Sequence, residues 1–205
     1  MLKELGLQAF LNQLESNEPV PGGGSVAALS SALSVALGAM VANLTVGKKN
    51  YEAVNDEMQA VAARMSNHKV YFVDMIDKDA TSFDSVMKAY KLPKETEEEK
   101  AHRTQMIQEG MKYAASVPYE VAKTTSELFN DLAFLVENGN QNAQTDALVA
   151  AMMARTAILS ALYNVKINLG SIKDEAYVAD MTSKVKALEE KAISEEKRVL
   201  SLSTL

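Results

Sequence analysis

Apolar positions from Val54 to Tyr90 repeat in threes and fours, the signature of a helix, and the rest of the chain also reads as helix. Leu2 to about Ser16 reads as a short amphipathic helix. From Pro19 to Gly47 there is no charged side chain; after Pro21-Gly22-Gly23-Gly24-Ser25 the run is built of Ala, Ser, Leu and Val. It has small residues on every side, which suits a helix that neighbours approach closely, and predicts the central helix of a bundle. Glu52 to about Tyr90 reads as one long helix ended by Lys91-Leu92-Pro93. Thr96 followed by Glu97-Glu98-Glu99 is a helix start with acids in the first turn. It opens a segment to about Glu137, with a break or kink expected at Pro118. Asn138-Gly139-Asn140 is a stop, Asn142 to about Lys166 a second weakly charged helix, and Lys173 to about Leu200 a charged outer one. No strand pattern, internal repeat or linker interrupts this, so the expectation is an all-α fold: a single-domain bundle of long helices spanning 1–205 around a central small-residue helix.

Composition narrows the chemistry. The 205 residues suffice for a sizeable core. There is no Cys and only His68 and His102, which excludes disulfides, thiol catalysis and Cys-type zinc sites, and leaves no metal site expected. The net charge of −6 argues against nucleic-acid binding. The uncharged run is long enough to span a bilayer, but Ser25, Ser30, Ser31, Ser34, Asn43 and Thr45 and its Ala content point to a soluble bundle core. No secretory signal is visible, so a cytoplasmic location is expected.

Three places carry candidate chemistry. The glycine run can bring backbone N–H groups up to a ligand at a helix start, or it is a tight turn with Ser25 as N-cap. On the long helix the apolar seam runs Val54, Met58, Val61, Met65, Phe72, Ile76, Phe83, Val86, Tyr90, and the missing step between Ile76 and Phe83 falls on Asp79. A carboxyl on that face is either a proton-transfer group with a raised pKa or a buried acid satisfied by a Lys, Arg or Asn from another helix. Asp77 falls on a different face and is expected to be solvated. Asn164 and Asn168, four apart, can read a flat heterocycle by its donors and acceptors, or cap the helix end. Asp146, in the first turn of its helix, complements the dipole. Arg155 should pair with an acid or bind an anion.

Taken together, these stretches resemble the cyclodeaminase domain of formiminotransferase-cyclodeaminase. The resemblance rests on Pro21-Gly22-Gly23-Gly24-Ser25-Val26-Ala27-Ala28, Leu44-Thr45-Val46-Gly47-Lys48-Lys49, Asp77-Lys78-Asp79-Ala80-Thr81-Ser82-Phe83 with Lys91-Leu92-Pro93-Lys94, Gly139-Asn140, Thr145-Asp146-Ala147 and Asn164-Val165-Lys166-Ile167-Asn168-Leu169. They occur in order over nearly the whole chain, with Thr145 standing where that family is expected to have Ser. The resemblance implies an all-α protein that forms dimers or larger oligomers and closes 5-formiminotetrahydrofolate to 5,10-methenyltetrahydrofolate with loss of ammonia. It implies Asp79 as the catalytic acid–base. It implies that Gly22, Gly23, Gly24, Ser25, Thr45, Lys48, Lys49, Asp146, Asn164 and Asn168 bind substrate, with Lys48 or Lys49 on the anionic glutamate tail. Folate is then the substrate and no cofactor is needed. Without a formiminotransferase domain, a separate formiminotransferase is an expected partner. The same family contains stand-alone methenyltetrahydrofolate cyclohydrolases, the alternative activity. A non-enzymatic helical assembly module is a third reading, and it places Asp79 in a closed ion pair.

Overall fold

The computed structural model describes residues 1–205, and all its regular secondary structure is helical. Its helices are α1 (Leu7–Leu14), α2 (Gly23–Asn43), α3 (Asn55–Tyr90), α4 (Glu97–Ser126), α5 (Phe129–Asn138), α6 (Gln144–Leu169) and α7 (Glu175–Leu200). Short 3₁₀ turns at Leu2–Glu4, Glu52–Val54 and Gln141–Ala143 join them. One contiguous apolar core draws side chains from all seven helices, from Phe10 of α1 to Val199 of α7.

The small-residue helix α2 is the hub. It packs chiefly on α3 and α6, while α4 closes over α6 and α3. Ala27, Ala28, Val35, Val41 and Ala42 have no exposed surface. Its buried serines are satisfied by neighbours rather than left unpaired: Ser34 donates to the Ala150 carbonyl of α6 at 2.8 Å, and Ser31 bonds Thr125 of α4 at 2.7 Å. Gly38 sits where a Cβ would press within 3.3 Å of Leu135 and Met65, so the helix can be this close to its neighbours only because it lacks side chains. α2 and α6 run antiparallel, as Gly23 meets Asn164 at one end and Thr45 meets Asn140 at the other. Both are long and apolar enough to cross a membrane, and their most apolar stretches are 61% and 44% buried inside the bundle.

Three boundary expectations are corrected. The first helix divides, because Gly6 separates the 3₁₀ turn at Leu2–Glu4 from α1. The segment from Thr96 begins with a complete capping box, Thr96 and Glu99 each accepting from the other's backbone N–H. It does not break at Pro118: α4 continues through the buried proline to Ser126, and the interruption falls at Glu127–Leu128. Finally, Ser25 is not the N-cap of α2. Gly22 holds that place in extended conformation, which makes Ser25 the third residue of the helix.

Candidate active site

The start of α2 faces the middle of α3. Gly23, Gly24 and Ser25 form the first turn, whose N–H groups have no intrahelical partner. The Asp79 carboxyl lies against this turn. Ser25 Oγ stands 3.0 Å from Asp79 Oδ2 and 3.1 Å from the Ile76 carbonyl, so its one proton serves two acceptors. A Cβ on Gly24 would fall inside the Asp79 carboxyl, and one on Gly23 would lie 3.0 Å from Asn164 Nδ2. The glycines are therefore required by contact: they let α2, Asp79 and Asn164 share one small space.

Burial pushes the Asp79 pKa above its ordinary value; hydrogen bonds from the Ser25 hydroxyl and backbone N–H pull it back but do not cancel the effect. Asp79 forms no salt bridge. The ion-pair alternative for this seam carboxyl, which the assembly-module reading required, is thus not what the fold contains. The seam itself ends differently from its periodic extrapolation. Ser82 and Ala89 turn inward, whereas Phe83 and Tyr90 are 37% and 44% exposed.

Asp79 opens into a cavity of ≈ 290 Å³ whose walls include Pro19, Val20, Gly22, Gly23, Gly24, Ser82, Phe83, Ala114, Asn164, Ile167 and Asn168. That volume is at the low end for small-molecule sites and suits a ring system rather than a whole cofactor-sized molecule. Both asparagines are pinned by backbone. Asn164 Nδ2 donates to the Ser160 carbonyl at 2.9 Å, and Asn168 Nδ2 to the Ala114 carbonyl at 2.9 Å.

Thus Gly22, Gly23, Gly24, Ser25, Asp79, Asn164 and Asn168 converge as expected. Thr45, Lys48, Lys49 and Asp146 do not join them within one chain. They lie at the opposite end of the antiparallel α2–α6 pair, about 30 Å away by the length of α2. Thr45 is buried there in a structural role, donating to Val41 O at 2.8 Å and accepting from Asn140 N at 2.8 Å. Lys48 and Lys49 are exposed, and Asp146 sits in the first turn of α6. Arg155 pairs with Glu196 at 3.7 Å. Asp77 is not simply solvated: Oδ1 accepts from Leu2 N at 2.6 Å, and Oδ2 is buried without a hydrogen-bond donor. Sequence reasoning missed the wall residues Val20, Ala114 and Ile167. The signal for Ala114 was present in Pro118, four residues on, which leaves that carbonyl without its helical donor.

A sequence model described as formiminotransferase-cyclodeaminase matches residues 6–187. The chain belongs to the formiminotransferase-cyclodeaminase family. Within that family it is 38% identical over 182 residues to a methenyltetrahydrofolate cyclohydrolase of Methylorubrum extorquens, covering 89% of this chain and 88% of the relative. It is 36% identical over 196 residues to the formimidoyltransferase-cyclodeaminase of Gallus gallus, covering 96% of this chain but only 36% of that longer protein. Its fold matches the crystal structure of formiminotetrahydrofolate cyclodeaminase from Thermotoga maritima with a TM-score of 0.87 and 34% identity, covering 98% and 97% of the two chains. These relatives are folate-processing enzymes, so the family and its fold agree with the resemblance carried by the glycine, acidic and asparagine motifs.

Proposed function

We propose that the chain is a formiminotetrahydrofolate cyclodeaminase that closes 5-formiminotetrahydrofolate to 5,10-methenyltetrahydrofolate and releases ammonia. The observation that carries this reading is the Asp79 carboxyl, uncompensated by any cation, raised in pKa by burial and set on the wall of a ring-sized cavity. N10 of the substrate attacks the formimino carbon. The N10 proton passes to Asp79, and from Asp79 to the amino nitrogen, whose bond to carbon then breaks to release ammonia. One carboxyl performs both transfers, and a raised pKa brings its acid and base forms within reach of each other. The amidinium substrate and the methenyl product are both cationic, so ionised Asp79 also stabilises the charge on the carbon. The folate itself carries the one-carbon unit, and these residues perform the reaction without a metal or redox cofactor. The formimino group would be loaded by a formiminotransferase, in one-carbon metabolism linked to histidine degradation in the cytoplasm.

The second reading is methenyltetrahydrofolate cyclohydrolase, favoured by the 38% identity to a relative of that name across 88% of its length. There the same carboxyl would draw a proton from water attacking the methenyl carbon. The two are separated by incubating the purified protein with each substrate. Methenyl absorbance rising with equimolar ammonia supports the cyclodeaminase. Loss of methenyl absorbance above the uncatalysed rate, with no ammonia formed from the formimino compound, overturns it in favour of the cyclohydrolase.

A further inference from the structure

The proline inside α4 has a consequence at the cavity. Pro118 has no N–H, so the carbonyl four residues earlier, Ala114 O, loses its helical donor. Ala114 lines the cavity, and an unpaired carbonyl there would be an acceptor on its wall. The Asn168 amide fills that vacancy from α6, with Nδ2 2.9 Å from Ala114 O. An amide is planar, so committing Nδ2 to one side fixes where Oδ1 stands. One turn earlier on the same face, Asn164 is fixed in the same sense by its Nδ2 bond to Ser160 O at 2.9 Å. Neither Oδ1 accepts a hydrogen bond within the chain, neither is a buried orphan, and both asparagines line the cavity.

We infer that Pro118 is a specificity-positioning residue: by freeing the Ala114 carbonyl to hold the Asn168 amide, it presents Asn168 Oδ1, beside Asn164 Oδ1, as an acceptor pair that reads N–H donors on the ring of the substrate. This rests on the folate reading above and specifies which part of the folate these residues recognise. A tetrahydropterin carries such donors in its 2-amino group, N3–H and N8–H. The asparagine acceptors come from α6 and the carboxyl from α3, and both line the one cavity. A ring lacking the donors would leave the acceptors unpaired in a confined space, and that is where discrimination arises.

Pro118→Ala separates this from a merely structural role, because the two roles predict opposite signs. Restoring the N–H repairs the α4 ladder, so thermal stability holds or rises. The repaired carbonyl no longer requires Asn168, so recognition of ring donors weakens. Binding of tetrahydrofolate and of its analogue with methyl in place of the 2-amino group is measured by calorimetry on the full chain. The parent prefers tetrahydrofolate, and Pro118→Ala reduces the preference by about three- to tenfold, the value of one net hydrogen bond. Asn168→Ala gives a similar loss, and the double variant loses little more, since both act through one contact. An unchanged preference in Pro118→Ala, or losses that add in the double variant, overturns the inference. Failure of the parent to bind tetrahydrofolate at all overturns the folate reading instead, a different and distinguishable result.

Discussion

The Asp79 carboxyl occupies the space in which Gly24 would carry a side chain. Two elements far apart in sequence thereby interlock, since the first turn of α2 is shaped around an acid from the middle of α3. Gly24→Ala tests this directly. Alanine should favour the helix by roughly 1 kcal/mol at an ordinary position. Here its methyl displaces the carboxyl, so turnover should fall at least tenfold while the folded protein persists by circular dichroism. A fully active Gly24→Ala variant would show that the position of Asp79 is immaterial to the reaction.

Removing the acid itself should be more severe. Asp79→Asn keeps the shape and abolishes proton transfer, and a group in that role contributes about 10²–10⁴-fold in rate. Folate binding should survive. Asp77→Asn should alter turnover far less. Asp77 points to the other side of α3, where it holds the Leu2 N–H, so its loss should loosen the N-terminal segment. Steady-state assays of both variants with 5-formiminotetrahydrofolate decide between the two acids. Turnover surviving in Asp79→Asn and vanishing in Asp77→Asn would move the chemistry from Asp79 to Asp77.

The same carboxyl sets a sign for stability against pH. Its folded pKa is raised, so folding binds its proton more tightly than the unfolded chain does. The stabilisation from the protonated form is therefore complete below the unfolded pKa of about 4 and is lost as pH rises through the higher folded value. Above that folded value the parent carries a desolvated charge that Asp79→Asn lacks. Melting curves should show the variant above the parent on the alkaline side of that folded value, by roughly 2–4 °C per kcal/mol relieved, and the gap closing near pH 4. A variant equally destabilised at both values would mean that Asp79 is held by favourable contacts instead.

Ser25 gives a kinetic counterpart. Its hydroxyl lowers the Asp79 pKa against the upward push of burial. Ser25→Ala removes that restraint and leaves the burial, so the pKa should climb further. Since Asp79 must be ionised to accept the N10 proton, the acidic limb of the kcat/KM profile should move to higher pH. A limb that stays in place, or moves down, would disconnect Ser25 from the titrating group.

Much of the fold was legible because helices with strong punctuation follow local rules. The capping box at Thr96 and Glu99 and the stop at Gly139 needed no tertiary information. The inward placement of Asp79 followed from periodicity alone, as did the shared face of Asn164 and Asn168. What escaped depends on partners distant in sequence. Pro118 does not break α4, and Asn168, 50 residues later, gives the Ala114 carbonyl the donor that the proline cannot. Ser25 reads as a cap locally, but its hydroxyl is directed at Asp79 on α3. Asp77 looked solvated because the Leu2 backbone that covers it is not predictable from α3. Thr45 matched a family motif, yet its hydroxyl ties the end of α2 to Asn140.

The last prediction concerns a second copy of the chain. Leu33 and Met40 of α2, and Val149, Met152, Tyr163 and Ile167 of α6, are 39–74% exposed although both helices belong to the core. Ile167 also borders the cavity. Apolar stripes on two adjacent central helices favour burial against another copy, so a homodimer or larger assembly is expected. Such a dimer would also give Lys48 and Lys49 a role that one chain denies them. At about 30 Å from Asp79 along α2, they reach a folate tail readily only if a partner brings its own far end to this cavity. Light scattering at micromolar concentration should give at least twice the mass of 22.3 kDa. Met152→Glu should lower that mass without unfolding the chain. In the intact assembly, replacing Lys48 and Lys49 with Ala should weaken a triglutamyl folate more than a monoglutamyl one. In the Met152→Glu background the same replacement should no longer discriminate between the tails. A stable, fully active monomer would remove the partner from the site, and equal tail preference in the assembled lysine variant would remove the lysines.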